Sequence, residues 1–157
     1  AQNIAHHAVM QGHSALFINA AQMLGDLAAQ DGDNALRRRL KHYAHPDLLI
    51  IDEVGYLSYG NRHADLLFNI INRRYELKPT IVTTNRPFAE WSEVFPNAAC
   101  VVSIVDRLVH HSEIMVIKGG SYRMREAKER AASKKRTVKS RRKPACQPAP
   151  KQPGNSR

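Results

Sequence analysis

The sequence has 157 residues, 43% hydrophobic content and a formal net charge of +10, which is enough chain for one domain with its own core. No apolar run reaches the ~18 residues of a membrane span, and the N-terminus lacks the basic-then-apolar order of a signal peptide, so a cytoplasmic protein without a membrane partner is expected. The charge is unevenly spread: residues 1 to 129 hold 14 Lys+Arg against 14 Asp+Glu, so the whole excess follows Glu129.

Residues 2 to 11 read as a helix, and after Gly12 the run Ser14 to Asn19 has the length and apolar content of a strand. Ala20 to Gln30 suits a second helix, and Asp33-Asn34 can cap a third that runs through Lys41. Pro46-Asp47 introduces Leu48-Leu49-Ile50-Ile51, four aliphatic residues that call for burial on both faces of a strand. Between Arg62 and Glu76, residues Ala64, Leu67, Phe68, Ile71 and Tyr75 form one helical stripe, and Pro79 then leads into a buried strand over Thr80 to Thr84. Two helices are predicted over Phe88 to Phe95 and Ala98 to His111, followed by a last strand over Glu113 to Ile117. Helices alternating with doubly buried strands predict an α/β fold, a parallel sheet with helices on both faces. From Arg130 to Arg157 there is no acidic residue, and Pro144, Pro148, Pro150 and Pro153 lie among Lys, Arg, Gln and Ser, which predicts a disordered basic tail. Composition leaves open whether that tail is a solubilising extension or an arm that displaces counterions from nucleic acid.

In an open parallel sheet, ligands bind beyond the carboxyl ends of the strands, where Asp52, Glu53 and Asn85 all fall. An aliphatic strand ending in Asp-Glu has a use in nucleotide chemistry: the Asp holds Mg²⁺ through water, and the Glu polarises the water that attacks the γ-phosphate. A solvated acidic turn would leave the same pattern. Other polar residues invite plainer readings. Cys100 and Cys146 are far apart and lack metal-ligand spacing, so both are expected as reduced thiols. In the pairs His6-His7 and His110-His111, adjacent helical side chains diverge and no carboxylate completes a metal site, which predicts surface or capping roles. Phe88, Trp91 and Phe95 have the spacing of helix packing rather than base stacking, and Arg37-Arg38-Arg39 reads as the solvated side of a helix. Arg86 before Pro87 fits a turn residue as well as a phosphate contact.

Several longer segments occur in order: PDLLIIDEVGYL (46 to 57), ADLLFNIINRRYE (64 to 76), PTIVTTNRPFAEW (79 to 91), DRLVHH (106 to 111) and GGSYRMRE (119 to 126). In these the chain resembles, over residues 1 to about 126, the AAA+ ATPase core of IstB-type transposition helpers and of the related DnaC-type helicase loaders. The resemblance implies a P-loop NTPase (AAA+) fold, a three-layer αβα arrangement, for residues 1 to 126, with the tail over 127 to 157. It implies ATP and Mg²⁺ as cofactors, with Asp52 as the magnesium ligand of a Walker B strand and Glu53 as catalytic base. It further implies Asn85 as the sensor that places the attacking water, Arg107 as an arginine finger offered to a neighbouring subunit, and Arg123 as a second, nucleotide-binding sensor. Arginine suits the last two roles because its guanidinium stays charged and forks onto two phosphate oxygens. DNA, a transposase and further copies of the chain are the implied partners.

The family's phosphate-cradling GxxxxGK[ST] loop is absent from these 157 residues. In the family that loop ends just before a helix such as Gln2 to Met10, so the expectation is a C-terminal portion, with a sheet incomplete at its N-terminal side and no ATPase activity of its own. Two alternatives stand beside the transposition helper: a DnaC-like replicative helicase loader, and a non-enzymatic remnant that binds nucleic acid by charge.

Overall fold

The computed structural model describes residues 1–117 except Leu57, together with Gly119, Met124 and Arg130. Expectations for Arg123, Cys146 and the basic tail therefore lie outside the described residues. In chain order the elements are α1 (Gln2–Met10), β1 (Ala15–Asn19), α2 (Ala20–Ala28), α3 (Asp33–Ala44), β2 (Leu48–Val54), α4 (Asn61–Arg74), β3 (Thr80–Thr84), a 3₁₀ turn (Phe88–Glu90), α5 (Trp91–Val94) and α6 (Ala98–His110). Residues Ala1–Ile114 form one compact unit.

The strands make a parallel sheet in the order β1-β2-β3, with β2 in the middle. Its central position explains the unbroken aliphatic run, because Leu48 to Ile51 are buried on alternating faces. Leu16, Ile18, Leu49, Ile51 and Val82 point into the main core, against Met23, Leu24 and Leu27 of α2 and Leu67, Ile70 and Ile71 of α4, with Ile104 of α6 closing the cluster. The alternate residues Phe17, Ile50 and Ile81 share one register line on the other face. There α1 runs against β1 and β2 and adds no buried side chain of its own. The parallel sheet with helices on both faces is thus present.

Helix starts follow the local chemistry. The Asn19 carboxamide accepts a bond from Ala21 N at 2.9 Å and opens α2, and Asn97 does the same for Cys100 N at 3.2 Å at the head of α6. Gly32, at φ 100°, rather than Asp33-Asn34, is the cap of α3, which leaves Asp33 inside the first turn beside the helix's positive end.

Two predicted elements differ. The single helix over Phe88 to Phe95 is a 3₁₀ turn followed by the short α5, and it stops at Val94 because Phe95 precedes Pro96, whose ring disfavours helical backbone in the residue before it. The aromatic trio still packs as expected, with Trp91 5.1 Å from Phe88 and 5.9 Å from Phe95 between ring centres. The strand over Glu113 to Ile117 is not formed: these residues are irregular and exposed, Ile117 at 94%. An apolar run with strand composition becomes a strand only where a neighbour completes its hydrogen-bond ladder, and among the described residues none pairs with it.

At the amino end of the sheet, Arg74 is 1% exposed and donates five hydrogen bonds. They go to Thr80 Oγ1 (2.9 Å) and to the carbonyls of Ala44 (2.9 Å), Pro46 (2.7 Å), Asp47 (3.1 Å) and Pro79 (2.6 Å). One side chain at the end of α4 thereby gathers the end of α3 and the entries to β2 and β3. Burial pulls its pKa below the usual arginine value, with the Asp47 charge opposing. A smaller tie joins α2 to α3, where Arg39 and the Tyr43 hydroxyl (2.6 Å) both bond Asp26 Oδ2. Burial, reinforced by Asp26, pushes the Tyr43 phenol up to about 12.

Replacing Arg74 by Ala leaves several buried carbonyls without a donor and is expected to cost about 3–5 kcal/mol in urea unfolding. Arg74→Lys should recover only part of this, since an ammonium cannot span five acceptors. The hydrogen bond from Arg39 holds the Asp26 carboxyl below its ordinary 3.8. A depressed acid pKa contributes stability that is complete above the unfolded value and is lost as pH falls through the folded one, so Asp26→Asn should flatten the loss of unfolding free energy below about pH 4.

Candidate functional site

The carboxyl ends of the three strands converge on a polar cluster that the sheet register builds. Asn19 of β1 lies opposite Asp52 of β2, and the regular pairing of β2 with β3 shifts between Ile51 and Val54. This irregularity spans Asp52 and Glu53, and Glu53 sits there at φ 61°, a left-handed conformation uncommon for a residue with a long side chain. The two carboxylates are therefore neighbours in sequence with different surroundings.

Asp52 is half-buried, and its Oδ1 accepts a 2.5 Å bond from the Thr83 hydroxyl of β3. Thr83 Oγ1 in turn accepts from Glu53 N at 3.0 Å, so one hydroxyl fixes the Asp52 side chain and the Glu53 backbone together. Glu53 is exposed, and Asn19 Nδ2 donates to its Oε2 at 2.8 Å. Because Asn19 also caps α2, its amide is oriented with the oxygen toward the helix and the nitrogen toward the carboxylate. Beyond the pair the chain turns at Gly55, whose φ of 87° is a left-handed conformation that strains any residue with a Cβ.

Among the described residues Asp52 Oδ2 takes no hydrogen bond, so a hard oxygen donor is left facing the end of the sheet. A carboxylate of this kind, with waters and phosphate oxygens completing the octahedron, is how Mg²⁺ is usually bound, and the donor set fits. Asn85, exposed, follows directly on β3 at the same end. The helix α1 leads through a tight turn into β1 and packs on it, so it runs antiparallel to the strands. Its first turn, with no capping side chain, therefore opens toward this same end of the sheet.

The structure separates Arg107 from that cluster. Helix α4 starts after the carboxyl end of β2 and descends to the amino end of β3, and Arg107 lies over its lower half, 4.6 Å above the Phe68 ring and 5.9 Å from Tyr75. Arg86 forms ion pairs with Glu90 (3.5 Å) and Glu93 (3.2 Å), which accounts for it as a turn residue. Arg37 and Arg38 are exposed, as a solvated helix side requires. Arg123 lies outside the described residues. Thr83 and Asn19 were not singled out from the sequence. The signal was available, since each stands at or next to the last position of an apolar strand, the place that already singled out Asp52 and Asn85.

Residues 1–131 match the family described as IstB-like ATP binding protein. The chain is 40% identical over 124 residues to the ATP-binding protein assigned to insertion sequence IS5376 of Geobacillus stearothermophilus, covering 79% of this chain and 49% of that protein. It is 38% identical over 131 residues to the protein assigned the same property in insertion sequence IS21 of Pseudomonas aeruginosa, covering 83% and 49%. The chain thus spans about half the length of the curated relatives it matches. Among solved structures it is similar to a DNA replication initiation factor (TM-score 0.55, 22% identity, 64% of this chain and 31% of that one). AMPPCP-bound DnaA from Aquifex aeolicus is similar to the same degree (TM-score 0.54, 22% identity, 63% and 31%). At that identity the likeness establishes the fold alone, an αβα arrangement.

Thr83→Val removes the donor to Asp52 and the acceptor for Glu53 N at one stroke. Unfolding in urea should show a loss of about 1–3 kcal/mol, largely restored by Thr83→Ser.

Proposed function

Because this chain belongs to the IstB-like ATP-binding protein family, we propose that it carries the magnesium- and water-handling half of an ATP-hydrolysing site in a DNA-associated helper of transposition. The observation that carries the reading is the Asn19, Asp52, Glu53 and Thr83 cluster at the carboxyl end of the sheet, in which one carboxylate is held half-buried and the other exposed. Mg²⁺, bound through Asp52, would supply charge neutralisation for the phosphates.

The chain's own groups have separable tasks in this reading. Thr83 fixes the Asp52 carboxylate from one side, which leaves Oδ2 directed at the metal position. Glu53, oriented by Asn19, accepts the proton of the attacking water at a carboxylate oxygen, and Asn85 helps hold that water. The first turn of α1, at this same end, supports the placement of phosphates there, since the positive end of a helix dipole attracts anions. Phosphoryl transfer asks for positioning and charge stabilisation more than for covalent chemistry, and such an arrangement offers both.

Arg107, on α6 but packed over the half of α4 remote from Asp52, does not serve its own chain's cluster. Held over Phe68 of α4, it acts in this reading on the nucleotide of an adjoining copy, and the active form is an oligomer. The cited relatives are insertion-sequence proteins, and this favours a transposition helper over a replicative loader. Arg123 is proposed as a further nucleotide contact.

The test joins this chain to a family segment bearing GxxxxGK[ST]. Glu53→Gln should retain binding of a fluorescent ATP analogue while hydrolysis falls by about 10²–10⁴-fold, and unchanged turnover would remove Glu53 as the base. Asp52→Ala should lose the magnesium dependence of nucleotide binding.

A further inference from the structure

The sequence offers no third ligand beside the pair His110-His111, but the fold supplies one. His110 is the last residue of α6, and His111 leaves helical geometry at φ −129°, ψ 41°, so the two rings do not diverge as consecutive helical side chains would. Their centres lie 4.0 Å apart. Glu76, in the turn after α4 and at φ 57°, brings its carboxylate to the same place, with Oε1 3.4 Å from His111 Nε2. One ligand atom from each of Glu76, His110 and His111 lies within 4.8 Å of the others.

We propose that Glu76, His110 and His111 form a binding site for a single divalent transition ion of the zinc class. Two imidazoles with one carboxylate select Zn²⁺ and its neighbours over Mg²⁺ or Ca²⁺. Four-coordinate zinc, with bonds of 2.0–2.1 Å, sets its ligand atoms about 3.3 Å apart. All three side chains are exposed, so small rotations close the remaining gap. The Tyr75 hydroxyl is hydrogen-bonded to His110 Nδ1, which leaves Nε2 as the metal ligand. A partner on the second ring nitrogen fixes the tautomer and orientation of most metal-bound histidines. Three protein ligands leave one position open to water or to a group from another molecule. The site clips the end of α6 to the end of α4, beside the Tyr75 ring that Arg107 faces. It shares no residue with the Asp52-Glu53 cluster, so it stands or falls separately from the nucleotide reading.

The experiment is a Zn²⁺ titration of the whole chain against a chromophoric chelator. One Zn²⁺ should bind per chain. His110→Ala and His111→Ala should each weaken binding at least tenfold, Glu76→Gln should weaken it measurably, and Tyr75→Phe about tenfold through the outer hydrogen bond. The double variant His6→Ala/His7→Ala should bind as the parent does. With Cu²⁺ as probe, electron paramagnetic resonance should show coupling to two imidazole nitrogens, lost in the His110→Ala/His111→Ala variant. Absence of saturable 1:1 binding, or binding and spectra indifferent to His110 and His111, would overturn the proposal. Glu76, His110 and His111 are exposed and Tyr75 is half-buried, and circular dichroism verifies the folding of each variant.

Discussion

The guanidinium of Arg74 sits where four pieces of chain must meet: the end of α3, the end of α4, and the entries to β2 and β3. The end of α4 brings the cation itself, and the other three pieces bring carbonyls and a hydroxyl that would otherwise be buried without a donor, which one planar group satisfies together. A buried charge is tolerated only under such conditions, with each acceptor close and none left over. The relative height of β2 and β3 is set at this end. Everything at the opposite end inherits it, including the opposition of Thr83 to the Asp52-Glu53 segment.

That inheritance explains how two consecutive carboxylates come to differ. An undisturbed strand would point Asp52 and Glu53 to opposite faces, one into the helix layer. The irregular pairing and the left-handed Glu53 backbone lift both to the rim, and the neighbours then distinguish them. A hydroxyl from β3 holds Asp52, and an amide from β1 holds Glu53. A lone strand could not accomplish this. The cluster needs all three strands in register, which ties the chemistry of the rim to the packing of the core.

Much of this was legible in the residues. Leu48 to Ile51 announced a central strand, and the 3.6-residue stripe through Leu67 and Ile71 gave α4 to within a residue or two, because both patterns are local consequences of burial. Glu113 to Ile117 misled, since strand composition says nothing about whether an edge is within reach. The helix through Phe95 misled for a local reason that was present in the sequence, the proline at position 96. At the candidate site, Asp52 and Asn85 were visible as strand-terminal polar residues. Thr83 and Asn19 stood at strand ends as well, but their bonds to Glu53 depend on cross-strand register, and Glu76 reaches His111 across 35 residues, so those contacts have no trace in sequence spacing. The role proposed for Arg107 calls for an adjoining chain, and Arg123 lies outside the described residues.

The left-handed Glu53 has a consequence for how such a protein could change over generations. Holding a long side chain in that region costs on the order of 1–2 kcal/mol, which glycine would not incur. Selection for robustness alone would press toward a small residue at position 53, and the resulting protein could keep its fold while its rim chemistry fell silent. Where the rim performs the proposed nucleotide chemistry, the need for a carboxylate opposes that pressure; where it does not, nothing does. The identity of the residue at this one strained position would then separate proteins that keep that chemistry from those that retain only the fold.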